Sequence, residues 1–390
     1  MTVYLGRRDF VDNTVVTEPV DGVVLLDNDY LKGRKVFATV TVTYRFGREE
    51  DEVMGLNFSK ELQLTAQQIF PASGKDPAIN EVQERLVRKL GPTAHPFAVN
   101  LPCIAPASVI LQSHETVRLP RHLRGKAGLA CYPAKPLGVI YELKVFVAET
   151  PDEKLHKRNS VSLAVRKVQY APQERCTRQP STLVSKGFTL SSGKLNLEVT
   201  LEKDIYYHGE QIIANLGINN CSRKTVKNIK CSVVQHVEVT MTNTHFTRIV
   251  ASLESKEGCP ITPGSNLQKA FQLHPTATTN KNKGGVALDG KLKDSDANLA
   301  SSTLVAVGQN PNDALGIVIS YSLRVVLNCG ALGGELVADL PFKLVHPSPG
   351  EQSIQQQSFM YASTPSQDSA DNIVFEDFAR IRRGMSVDQP

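Results

Sequence analysis

Apolar and polar residues alternate with a period of two along most of the chain. Val36, Ala38, Val40, Val42 and Tyr44 share one face of an expected strand, with Thr39, Thr41 and Thr43 on the other. Leu195, Leu197, Val199 and Leu201 repeat the pattern, as do Val161, Leu163 and Val165, where Arg166 is read as ending the strand on the opposite face. Residues 317–327 form a longer β-branched run. Many such strands, broken by Gly, Pro, Asn and Asp turns, predict antiparallel β-sandwiches. One segment departs from this. Ile79, Val82, Leu86 and Leu90 recur at helical spacing, which predicts one amphipathic helix over about 77–90. Asp76-Pro77 supplies the cap and first-turn proline, and Gly91 the stop. The helix is expected to lie on a sheet through its apolar stripe and to turn Arg85, Arg88 and Lys89 to solvent.

The pattern also repeats at a coarser level. An apolar strand at 23–26 runs through Asp27 and Asp29 into Tyr30-x-x-Gly33, and one at 197–201 runs through Glu202 and Asp204 into Tyr206-x-x-Gly209. Two sandwiches built on similar strand–acidic turn–strand units fit this, with a polar, proline-flanked junction over 172–180. The segment 114–136 is basic and aperiodic, and it interrupts a strand-rich region. After residue 347 the chain is rich in Ser, Gln and Pro and cannot bury enough apolar surface to fold alone. It ends in a short strip, 371–383, that carries Phe375 and Phe378 and closes with Arg380, Arg382 and Arg383. Such a strip on a leash needs a docking surface, on its own body or on a partner.

A length of 390 residues allows two or three domains. The net charge is +5, but the tail from His346 on is net −3 and the body net +8. That imbalance favours docking of tail on body, and anionic partners once the tail leaves. No basic run interleaved with aromatics suggests nucleic acid. No apolar run reaches the 18 or so residues of a membrane span, and the N-terminus lacks a signal-peptide layout, so a soluble intracellular protein is expected. The seven cysteines, Cys103, Cys131, Cys176, Cys221, Cys231, Cys259 and Cys329, are scattered without Cys-x-x-Cys spacing, which predicts reduced thiols. The nine histidines show no metal-ligand spacing, so neither metal nor cofactor is expected. His-Glu-x-x-His, Gly-x-Ser-x-Gly and Gly-x-Gly-x-x-Gly are absent, and no enzyme is expected. Residues 285–291 imitate the start of a phosphate-binding loop, but Leu292 stands where magnesium would need a hydroxyl.

Tyr4-Leu-Gly-Arg-Arg-Asp9, Pro19-Val-Asp-Gly-Val-Val24, Gly47-Arg-Glu-Glu-Asp-Glu-Val-Met-Gly55, Val165-Arg-Lys-Val-Gln-Tyr-Ala-Pro172, Ala287-Leu-Asp-Gly-Lys-Leu-Lys293, Asn298-Leu-Ala-Ser-Ser302 and Val374-Phe-Glu-Asp-Phe-Ala-Arg380 together resemble an arrestin, most closely the visual arrestins of arthropods. The resemblance implies an all-β fold of two antiparallel, immunoglobulin-like sandwiches. It implies an N-domain over 1–171, a hinge over 172–182, a C-domain over 183–346 and a flexible tail over 347–390. It implies a polar core of Asp9, Arg166, Asp289, Asp296 and Arg380, three acids against two bases, that latches the tail. Candidate phosphate contacts are Arg8, Arg88, Lys89, Lys157, Arg158, Lys291 and Lys293. Arg48, Glu49, Glu50, Asp51, Glu52, Val53, Met54 and Gly55 would form the finger loop that enters an activated seven-helix receptor. Phe375, Phe378 and Arg382 resemble the motif for the clathrin adaptor AP-2.

The implied function is binding of light-activated, phosphorylated rhodopsin to end signalling, in the cytoplasm and at the photoreceptor membrane on activation. Inositol phosphates or phosphoinositides are further implied partners. The alternatives are a non-visual arrestin acting mainly as an endocytic adaptor, and a retromer-type trafficking scaffold; the polar-core set argues against the second. Two departures from the family are expected to be gene-model errors: the lack of a first basic strand before Met1, and the insertion over 114–134 in place of a short hairpin turn.

Overall fold

The computed structural model describes residues 1–12, 17–46, 59–72, 79–102, 105–112, 137–151, 153, 159–171, 178–188, 192–290, 298–304, 316–330 and 333–347. The first half holds β1 (Thr2–Leu5), β2 (Asp9–Asp12), β3 (Val20–Leu25), α1 (Asn28–Leu31), β4 (Lys35–Arg45), β5 (Ser59–Phe70), α2 (Glu81–Leu90), β6 (Ala94–Val99), β7 (Val109–Leu111), β8 (Gly138–Ala148) and β9 (Ser160–Gln169). The second half holds β10 (Ser181–Gly187), β11 (Lys194–Leu201), β12 (Ile205–Tyr207), β13 (Ile212–Asn220), β14 (Asn228–Val239), β15 (Thr244–Ser255), β16 (Asn266–Leu273), β17 (Ala287–Asp289), β18 (Ile317–Asn328) and β19 (Glu335–Val345). Among the described residues no helix is long and apolar enough to cross a membrane.

Each half is a pair of sheets, as the alternation predicts. A three-stranded sheet, β1-β3-β6, accompanies a seven-stranded one, β17-β7-β8-β4-β5, extended by β9 on β8 and β2 on β9. The second half sets the sheet β10-β11-β13-β16 beside β12-β19-β18-β14-β15. Pairing is antiparallel except between β2 and β9 and between β12 and β19, which run parallel. Leu195, Leu197, Val199 and Leu201 are fully buried, as their spacing requires. The strand β10 begins at Ser181, inside the expected hinge.

One strand is buried on both faces, and the expected helix and the end of β9 need correction. On β4, Thr39 and Thr41 are buried along with the apolar face. β4 lies centrally between β5 and β8, and Phe37 stacks on Phe146 in a second apolar cluster. The helix starts at Glu81, because Asn80 caps it: its side chain accepts from the Gln83 N–H, and the Gln83 side chain accepts from the Asn80 N–H. Residues 76 and 77 lie outside the described residues. The apolar stripe is only half used. Ile79 and Val82 are each 45% exposed, while Leu86 and the polar Gln83 are buried. Gln83 earns its place by donating to the carbonyls of Gly22 on β3 and Phe97 on β6, which pins the helix to the three-stranded sheet. Arg88 and Lys89 are exposed in the last turn, where cations oppose the helix dipole favourably. Finally, Arg166 does not end its strand: β9 continues through Lys167, Val168 and Gln169.

The two halves meet through β17, which leaves the second half to pair with β7, Ala287 opposite Leu111 and Asp289 opposite Val109. Gln235 of β14 holds the other edge of that strand by both donating to the Ala287 carbonyl and accepting from its N–H. Residues 287–289 of the stretch that imitates a phosphate loop are thus a strand paired on β7. His346, just past β19, bridges in parallel to Tyr170, just past β9.

Candidate functional site

The junction gathers charge because two parallel strands, β2 and β9, place Asp9 directly beside Arg166. The Arg166 guanidinium meets the Asp9 carboxylate as a two-pronged pair: Nε donates to Oδ1 at 2.8 Å and Nη2 to Oδ2 at 2.6 Å. Its third arm, Nη1, donates to the carbonyl of Gly290 at 2.8 Å, across the border into the second half. Such fork-to-fork pairing fixes direction as well as charge. The glycine is required sterically. A Cβ at Gly290 would lie 2.5 Å from the Ser108 Cβ and 3.2 Å from the Arg166 Cγ.

Asp289, the residue before, is buried and heavily engaged. Its Oδ1 accepts from the Ser301 N–H at 2.9 Å, and its Oδ2 accepts from His346 Nε2 at 2.6 Å. His208 Nε2 stands 3.9 Å from the same Oδ2 and 3.0 Å from the Ser301 hydroxyl. Burial alone would raise the Asp289 pKa, but the hydrogen bond and charge of His346, with His208 and the Ser301 N–H, bring it below the ordinary carboxylate value. For His208, burial and then the neighbouring His346 outweigh the pull of Asp289, and its pKa is pushed down to about 3. The ring is therefore neutral at physiological pH.

Of the expected polar core, Asp9 and Arg166 are paired and Asp289 adjoins the carbonyl that Arg166 grips; Asp296 and Arg380 lie outside the described residues. Arg8 is drawn onto β9, its Nε donating to the Ala164 carbonyl at 2.9 Å while its own carbonyl accepts from the Arg166 N–H. The loop that carries it touches the start of α2 at Gly6, whose added Cβ would lie 2.9 Å from a Val82 methyl. Arg88 and Lys89 sit six and seven residues further along, roughly 10 Å down the helix axis at 1.5 Å per residue. Lys157, Arg158, Lys291 and Lys293 lie outside the described residues. So do Phe375, Phe378 and Arg382, and so do Arg48, Glu49, Glu50, Asp51, Glu52, Val53, Met54 and Gly55, although the strands leading into that last stretch pair up to Arg45 and Ser59.

Four junction residues had no signal in the sequence. His208 and His346 stand just past strand ends, 138 positions apart in the chain, where no spacing rule connects them. Asp12 and Lys167 form a buried ion pair, Nζ to Oδ2 at 2.7 Å; Lys167 is one position past Arg166 on β9 and Asp12 three past Asp9 on β2. The four described cysteines, Cys221, Cys231, Cys259 and Cys329, are free thiols.

Comparison with known proteins agrees with this architecture. The family model for the N-terminal domain of arrestin, or S-antigen, matches residues 1–171, and that for the C-terminal domain matches 191–349. An arrestin homolog of Locusta migratoria is 55% identical over 98% of this chain and 93% of its own length. The lateral-eye arrestin of Limulus polyphemus is 54% identical over 98% of this chain and 92% of its own, and Phosrestin-1 of Drosophila melanogaster 51% identical over 98% and 94%. The chain belongs to the arrestin family.

Proposed function

We propose that this chain binds light-activated, phosphorylated rhodopsin, blocks its coupling to G protein and so ends the signal. The observation that carries the reading is the Asp9–Arg166 pair at the junction of the two halves, tied to the second half through the Gly290 carbonyl. At about 4 Å and an effective dielectric of 20 two opposite charges attract by roughly 4 kcal/mol, and desolvation consumes much of it. Such a pair is weak glue and a good latch. A receptor phosphate brings about −1.5 to −2 charges at neutral pH and offers cations charge-assisted hydrogen bonds in place of a carboxylate.

In this reading Arg166, with Lys291 and Lys293, exchanges its carboxylate partners for phosphate. That draws the Asp289 loop aside and frees Arg380 with its tail. Arg8, Arg88, Lys89, Lys157 and Arg158 supply further phosphate contacts. The finger loop, with Val53 and Met54 between acids and glycine, enters the receptor's cytoplasmic cavity; methionine adapts to irregular pockets. The freed tail offers Phe375, Phe378 and Arg382 to AP-2. The protein works in the cytoplasm and moves to the photoreceptor membrane on activation. The likeness to a lateral-eye arrestin supports the visual assignment. The test is a light-dependent pull-down with phosphorylated and unphosphorylated rhodopsin. Capture only by the illuminated, phosphorylated form is expected; equal capture of all forms would defeat the reading.

A further inference from the structure

We infer that His208, Asp289 and His346 form a binding site for a divalent transition-metal ion of the zinc class. The sequence scatters these residues, and the fold collects them: His208 follows β12, Asp289 closes β17 and His346 follows β19. One ligand atom from each, two imidazole nitrogens and a carboxylate oxygen, lies within 4.8 Å of the others. Zinc held at roughly 2.0–2.1 Å in a tetrahedron sets its ligands about 3.3 Å apart. The existing spans of 2.6 Å, from His346 Nε2 to Asp289 Oδ2, and 3.9 Å, from His208 Nε2 to the same oxygen, bracket that value. The two histidine nitrogens lie within 4.8 Å of each other, so shifts of up to about 1.5 Å convert one arrangement into the other.

The donor set selects the ion. Two imidazoles with one carboxylate suit zinc, cobalt or nickel, whereas calcium and magnesium require oxygen throughout. His346 donates to Oδ2, and a second hydrogen bond, 3.0 Å to the Ser301 hydroxyl, is made by His208 Nε2. At 3.9 Å its Nε2 is beyond hydrogen-bond reach of the carboxylate it faces. A cation seated between them uses both rings. It takes the place of the Nε2 proton of His346, which moves to Nδ1 or to solvent.

The surroundings are those of a supported site. The Ser301 N–H orients Asp289 through Oδ1, while Oδ2, which also takes a long 3.5 Å bond from the Ser301 hydroxyl, faces the ion position. The His208 backbone N–H donates to the Val345 carbonyl, anchoring the chain at that ligand, and the His346 ring stacks on Tyr170 with centroids 5.3 Å apart. Side-chain exposures of 8%, 5% and 13% for His208, Asp289 and His346 make the site nearly dry, with His346 as its edge to solvent. The Ser301 hydroxyl or a water completes four ligands. The ion would clip together three strand ends at the border between the two halves.

The test uses the full chain, stripped with a chelator and titrated with Co2+ alone. One equivalent is expected to develop the visible bands of a four-coordinate nitrogen–oxygen site, without the near-ultraviolet thiolate band that cysteine ligation gives, and Zn2+ should displace it. His208→Gln and His346→Gln should each weaken binding at least about tenfold, the scale on which metal-site contacts act. In wild-type protein carrying 15N-histidine, Zn2+ should move two of the nine imidazoles; this readout needs no variant to fold. Failure to bind in wild type, binding unchanged in both variants, or perturbation of other histidines would overturn the site. The inference does not depend on the receptor reading, although Asp289 takes part in both; repeating the receptor pull-down in chelator separates the two.

Discussion

Two ion pairs of like chemistry sit side by side on the parallel strands β2 and β9, and they serve different ends. Asp12 and Lys167 are sealed, their side chains 9% and 0% exposed, with the Lys167 ammonium also bonded to the Ala105 carbonyl. Asp9 and Arg166 are 45% and 12% exposed and reach across to the second half at Gly290. Consecutive residues on a strand face opposite ways, so Lys167 enters the first half's core while Arg166 turns to the border. A sealed pair can only be kept or lost with the fold. A half-open pair can be exchanged for water or an incoming anion, which is what a releasable contact requires.

This contrast can be broken from the sealed side first. Lys167→Met leaves Asp12 charged without its partner and should cost about 3–5 kcal/mol of stability in denaturant unfolding. Adding Asp12→Leu should recover most of that, because a matched apolar pair can replace a buried ion pair. Asp289→Asn comes next. It weakens the charged acceptor of His346 and the Ser301 N–H, and should cost about 1–3 kcal/mol in thermal unfolding. Arg166→Gln should cost under about 1 kcal/mol, since the exposed Asp9 can hydrate, while loosening the demand for receptor phosphate. Unfolding and pull-down on one preparation separate the two effects. Smallest of all, Arg88→Ala or Lys89→Ala should leave stability within about 0.5 kcal/mol and lower capture of phosphorylated rhodopsin by at most a few-fold, most visibly at low salt.

The strands were legible wherever one face met a core and the other met water, as in β11 and β18. Legibility failed where polar groups were buried with their hydrogen bonds satisfied. The expected strand stops at Arg166, where polar residues begin; in the fold, Lys167 is fully buried against Asp12, and Gln169 donates to the Asp12 carbonyl. Gln83 hid in the same way, being polar by type and buried by virtue of two sheet carbonyls, while Val82 took an exposed position its hydrophobicity did not announce. At the junction, Asp9, Arg166 and Asp289 were legible through family resemblance. His208 and His346 were not, because strand ends separated by most of the second half meet only through tertiary structure.

The central claim is that the Arg166 charge makes receptor binding conditional on phosphate. The most direct measurement is capture by light-activated rhodopsin, phosphorylated and unphosphorylated, of the wild-type chain and of Arg166→Glu, with thermal unfolding to confirm that both are folded. Wild type should favour the phosphorylated receptor, and Arg166→Glu should bind the two forms about equally. A folded Arg166→Glu that keeps the wild-type preference would contradict the latch.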